Sequence, residues 1–118
     1  MADMKRFILA GFLLTSSFAS SPLEKTWQLN STQNLTFEAG KVSGQAGCNN
    51  FFGGYTVKSS SLTFGALAST RKACQASIME QENLFLKRLS STKRFFVSQD
   101  GLRLTLIGDG VQRLTASR

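Results

Sequence analysis

Two Asp-Gly pairs, Asp100-Gly101 and Asp109-Gly110, each lie between runs in which apolar and polar residues alternate. Asp-Gly accepts the positive φ of a tight hairpin, so these pairs commit the last part of the chain to antiparallel strands. The expected strands cover residues 94–97, 102–107 and 111–116 and form a meander, with Leu102, Leu104 and Leu106 facing the core. Upstream, short apolar stretches at 26–29, 35–37, 42–43, 51–57 and 62–64 are cut by turn-rich breaks at 30–34, 39–41 and 59–61. They read as further antiparallel strands.

One segment has the other periodicity. Over residues 77–89, Ile78, Met79, Phe85, Leu86 and Leu89 fall on one stripe, with Gln81, Asn83, Lys87 and Arg88 mostly opposite. Ser77-Ile78-Met79-Glu80 has the form of a capping box, in which Ser77 and Glu80 satisfy each other's backbone N–H groups. Glu82 also falls on the apolar stripe, an unusual place for a charge. Strands, one helix and more strands predict an α+β domain, a curved antiparallel sheet or partly open β-barrel wrapped around one α-helix.

The first residues follow different rules. Lys5 and Arg6 precede an apolar run at 7–14 and small polar residues at 15–17, the order of a secretory signal peptide. Eight apolar residues are too few to span a bilayer, which takes about 20. Ser17 and Ala19 place small residues before a cut, so residues 1–19 are expected to be removed. A buried N-terminal helix is the alternative, and the all-round apolar run argues against it. No cysteine stands near the cut to carry a lipid. The 118-residue chain less its first 19 leaves 99 residues, which suits a single domain at 20–118.

The chain holds 14 Lys and Arg against 7 Asp and Glu; removing Lys5, Arg6 and Asp3 leaves 12 against 6, a net charge of +6. Such an excess suits an anionic surface or an acidic partner. Export argues against nucleic acid, and no basic run exceeds two residues. There is no histidine, hence neither the usual general base nor the commonest zinc ligand. Two cysteines and few carboxylates do not make a metal site, and neither thiol has a base beside it. No catalytic, cofactor or metal residue is assigned.

The least generic stretch is Gly44-Gln45-Ala46-Gly47-Cys48-Asn49-Asn50-Phe51-Phe52-Gly53-Gly54-Tyr55. Its glycines and aromatics suit a sharply bent strand pair. It lacks the Lys-Ser or Lys-Thr and the helix start of a phosphate-cradling loop. Gly47-Cys48-Asn49-Asn50-Phe51 with Gly54 and Tyr55, followed by Thr70-Arg71-Lys72-Ala73-Cys74 and then by Glu82, Phe85 and Leu89, resembles the META/HslJ family of small bacterial envelope proteins. Trp27-Gln28-Leu29 and Gly101-Leu102-Arg103-Leu104 fit the same pattern. The resemblance implies a compact, partly open barrel around one helix, in secreted proteins and lipoproteins. The family is named partly for a heat-inducible member linked to novobiocin resistance. It also implies likeness to secretin-pilot folds that hold lipid in a cracked barrel, and no catalytic activity.

Within that frame Cys48 and Cys74 are expected to pair as a disulfide, because an oxidising compartment favours pairing of an even cysteine count. Two packed reduced thiols are the alternative. Glu82 invites proton chemistry, but the structural reading has it accepting backbone N–H groups or the Asn49 amide in the bent 47–51 segment. Asn49 reads as a turn-former. The expected function is a non-enzymatic envelope stress-response or interaction module, a periplasmic or secreted monomer that is not an integral membrane protein. Its partner would be a protein or an anionic envelope component. The alternatives are a carrier of an apolar ligand such as a lipid tail, including a secretin-pilot-like chaperone, and an inhibitor of a secreted hydrolase.

Overall fold

A computed structural model describes residues 22–108 and 113–118, with Arg113 described by its backbone alone. The predicted leader at 1–19 and the Asp109-Gly110 turn, together with Val111, lie outside the described residues.

Among the described residues nine strands and one helix follow in order: β1 (Thr26–Asn30), β2 (Gln33–Glu38), β3 (Lys41–Ala46), β4 (Asn50–Lys58), β5 (Ser61–Phe64), β6 (Ala68–Ser69), α1 (Ala76–Ser90), β7 (Thr92–Val97), β8 (Arg103–Gly108) and β9 (Arg113–Ser117). All pairings are antiparallel, in the order β3-β2-β1-β9-β8-β7-β5-β4-β6. β3 also pairs with β4, Gly44 opposite Phe51 and Gln45 opposite Asn50. That pairing closes a ring of eight strands, and β6 adds to β4 outside it. The barrel and its single helix agree with the expected class, but the barrel is closed and not partly open. Closure depends on the nine-residue β4, which pairs with β3 and β6 through its first half and with β5 through Tyr55, Thr56, Val57 and Lys58.

Alternation along the strands decides what enters the core. Leu35 and Phe37 of β2, Val42 and Ala46 of β3, and Leu104 and Leu106 of β8 are buried, while the residues between them lie nearer solvent. Trp27, Phe51, Leu62 and Ala116 complete the barrel's share, and Phe85 and Leu89 of α1 join the same cluster. Each fully buried large apolar side chain contributes about 1.5–3 kcal/mol of transfer free energy. Phe37 meets Tyr55 edge-on at 5.0 Å between centroids, and Phe51 meets Phe85 edge-on at 5.6 Å. The indole N–H of Trp27 is satisfied by the Leu23 carbonyl at 3.1 Å.

Three expectations are corrected. The capping box does not form: the helix starts at Ala76, its cap is Gln75, and no side chain caps it. The Gln75 carbonyl accepts the N–H groups of Ile78 and Met79, both at 3.0 Å, so Ser77 is already inside the helix, where its hydroxyl cannot take the capping position. Leu102 is 48% exposed. It belongs to the turn before β8, because the Asp100 carboxylate holds its N–H at 3.0 Å. The helix stripe is also narrower than expected: Ile78 sits over Gly47, which has no side chain to cover it, and remains exposed. Met79 and Leu86 are half-buried.

Candidate functional site

The residues singled out in the sequence converge where the β3–β4 connection meets α1. Gly47 turns the chain there with φ +133°, a conformation that a side chain would strain. The turn aims two successive backbone N–H groups at the helix. Glu82 lies on the buried stripe of α1 with Phe85 and Leu89, three and seven residues on, and is only 3% exposed. Its Oε1 accepts the N–H of Cys48 at 3.0 Å and that of Asn49 at 2.6 Å, and its Oε2 accepts the Asn49 side-chain amide at 2.8 Å. With three donors on its two oxygens, this buried carboxylate is a hydrogen-bond hub.

Asn49, 2% exposed, continues the network from its other end. Its Oδ1 accepts the Thr70 hydroxyl at 2.9 Å and the Lys72 N–H at 2.6 Å. Its Nδ2 donates to the Lys72 carbonyl at 3.1 Å as well as to Glu82. All the donor and acceptor capacity expected of one amide group is therefore used. Thr70 Oγ1 also accepts the Asn50 N–H at 3.1 Å. Three segments distant in sequence, the 47–51 bend, the 70–74 segment and α1, are joined by two side chains.

The disulfide Cys48–Cys74 ties the same two segments, with a Cα–Cα distance of 6.1 Å, in the usual range for such a bond. The alternative of two reduced thiols is thereby set aside. Phe51 descends into the core and Tyr55 packs on Phe37, while Gly54 stands opposite Lys41 on the outer side of β4. A shallow cleft of about 280 Å³ remains beside the network, lined by Asn49, Thr70, Arg71, Lys72, Met79, Glu82 and Asn83 among others. Both Glu82 oxygens already face donors, so the arrangement is built to hold chain segments together.

Two further buried polar residues were not singled out from the sequence. Gln33 donates to the Ala46 carbonyl at 2.9 Å and to the Gln81 carbonyl at 3.4 Å, linking the start of β2 to β3 and α1. Thr92 donates to the Arg88 carbonyl at 3.0 Å and so closes the last helical turn. Gln33 lies in a stretch of polar turn residues, where no local signal separates a buried glutamine from a solvated one.

Among the described residues no helix is long and apolar enough to cross a membrane. Comparison with solved structures shows the fold. An NMR structure of a protein from Burkholderia xenovorans superposes with a TM-score of 0.73 at 23% identity, covering 95% of this chain and 93% of that one. A second NMR structure gives a TM-score of 0.63, also at 23% identity, over 83% of this chain and 94% of its own. No curated protein matches. The family model of the META domain matches residues 12–118, the span that holds the disulfide, the Asn49–Glu82 network and the closed barrel, and the chain therefore belongs to the META domain family.

Proposed function

We propose that the protein is a non-enzymatic interaction module of the cell envelope, exported and then trimmed near Ala19. The observation that carries this reading is how the motif residues are used. Glu82 and Asn49, the buried polar pair that a catalytic site would need, accept and donate hydrogen bonds inside the fold. The disulfide fits an oxidising compartment, and family membership fits a non-catalytic envelope role.

The barrel's closure narrows how a partner would be met. Among the described residues, exposed strand edges, part of the sequence-based reading, are reduced to the outer side of the short β6. The basic surface remains. Lys58, Ser61, Arg94 and Ile107 stand opposite one another across β4, β5, β7 and β8, with Lys58 and Arg94 exposed. This row suits an anionic envelope component. Co-sedimentation with vesicles containing an anionic lipid should show salt-sensitive binding that falls when Lys58 and Arg94 are both replaced by Glu. Equal binding by the double variant would remove this surface from the proposal.

The carrier reading requires room between sheet and helix. That space is occupied by Trp27, Phe37, Phe51, Phe85 and Leu89. Mass spectrometry of protein purified under mild conditions should therefore give the bare chain, and a co-purifying lipid would restore the carrier.

A further inference from the structure

The outer face of β2, β3 and β4 is uncharged over two consecutive cross-strand rows. Asn34, Gln45 and Asn50 stand opposite one another in one row, and Thr36, Ser43 and Phe52 in the next. All six point away from the core, because their neighbours Leu35, Val42 and Phe51 are buried. Charge returns in the following row, where Glu38 faces Lys41.

Two features make this area a site and not simply the solvated side of a sheet. Phe52 stands in its middle, 53% exposed. Two depressions meet beside it, one of about 410 Å³ lined by Asn34, Gln45 and Asn50, the other of about 700 Å³ running past Lys41 to Gly54, and both are bordered by Ser43 and Phe52. Among the described residues, the side chains of Ser43, Gln45 and Asn50 make no hydrogen bond within the protein.

The occupant follows from this chemistry. Each free amide offers both donors and an acceptor, which matches hydroxyl groups that also donate and accept. The ring of Phe52 presents an electron-rich face to weakly positive C–H groups. A phosphate or carboxylate ligand would call for cations; these two rows hold none, and Lys41 at the edge of the larger depression is offset by Glu38 opposite it. An apolar helix would leave the amides unpaired. Sugar rings combine an apolar C–H face with a rim of hydroxyls. From Asn50 to Gly54 the face runs about 13 Å along the strand, room for a short run of rings. We propose that this face binds a neutral pyranose glycan, with Phe52 stacked under a sugar ring and the Gln45 and Asn50 amides on its hydroxyls. The proposal is independent of the basic row on the other strands.

The test is an NMR titration of the isotope-labelled full domain with β-1,4-linked hexamers of glucose and, separately, of N-acetylglucosamine. The side-chain amide signals of Gln45 and Asn50 should shift saturably with at least one of them. The two arms distinguish a plain glucan from an acetamido sugar. Phe52→Ala should weaken binding about tenfold, or ~1.4 kcal/mol, and Phe52→Trp should retain it. Gly54→Ala should weaken it by narrowing the larger depression; a Cβ there meets nothing nearer than the Gly40 carbonyl at 3.7 Å, so the variant should fold. Lys58→Glu should leave binding unchanged. The proposal is overturned if neither hexamer shifts these signals up to its solubility limit, or if Phe52→Ala leaves the affinity unchanged. It also falls if the signals move with protein concentration alone, which would make the face a contact between two copies.

Discussion

Glu82 shows how much a single atom type matters at a buried hub. Replacing it with Gln keeps the shape but turns one acceptor into a donor, and both oxygens of the native side chain face N–H groups. Glu82→Gln should therefore cost about 1–3 kcal/mol in denaturant melts. A melt indistinguishable from wild type would mean that the network does not hold the bend. Asp100 offers a pH readout at the surface. The Ser98 hydroxyl at 2.6 Å, helped by the Leu102 N–H, holds its carboxyl below the ordinary value of 3.8. A lowered native pKa means that this carboxylate favours the fold above about pH 3.8, and the contribution is lost as pH falls through the lowered value. Carbon-detected NMR titration should give Asp100 a midpoint below 3.8 that moves up in Ser98→Ala; a wild-type midpoint at or above 3.8 would contradict the assignment.

At the scale of elements, the helix is held by its buried stripe more than by its cap. Phe85 is buried in the core edge-on against Phe51, so Phe85→Ala should cost about 3–5 kcal/mol. Ser77→Ala, by contrast, should have almost no effect, since that hydroxyl caps nothing. Thermal melts of the two variants side by side would check the contrast, and a large loss in Ser77→Ala would reinstate the capping box. The 3.6-residue period placed Phe85 and Leu89 on the buried face, because burial follows the stripe. The helix start was not readable. Ser77 and Glu80 have the right spacing, but the chain reaches them from Cys74, which is tied to Cys48, and the helix has already begun at Ala76.

At the scale of the whole molecule, one covalent bond spans the two halves of the polar network. The disulfide joins positions 26 apart in sequence, a closed loop worth ~3.5 kcal/mol on the chain-entropy account. Replacing both cysteines with Ser should lower stability by that order, while Glu82 and Asn49 keep the segments in place, so the variant should still give a folded spectrum. A destabilisation under about 1 kcal/mol would show that the network alone sets the geometry. Expression in a bacterial host with intact-mass analysis of the exported product should give a chain beginning at Ser20; a periplasmic product starting at Met1 would refute the leader.

The sequence by itself determined the local structure. Period-two alternation and the Asp100-Gly101 turn placed strands, a single 3.6-residue stripe placed the helix, and the spaced motifs around Cys48, Thr70 and Glu82 pointed to the family. These signals are local because each arises from backbone sterics or from one face of one element. What only the tertiary structure decided involves residues far apart in the chain. β9 meets β1 and β3 meets β4 to close the barrel, and alternation along any one strand is the same in an open sheet as in a closed ring. Leu102 has the parity of a core residue and is exposed because the strand begins one residue later, fixed by Asp100. Gln33 is buried because three elements converge on it. The uncharged outer face appears only when Asn34, Gln45 and Asn50 are brought into one row by strand register, which sequence spacing does not reveal.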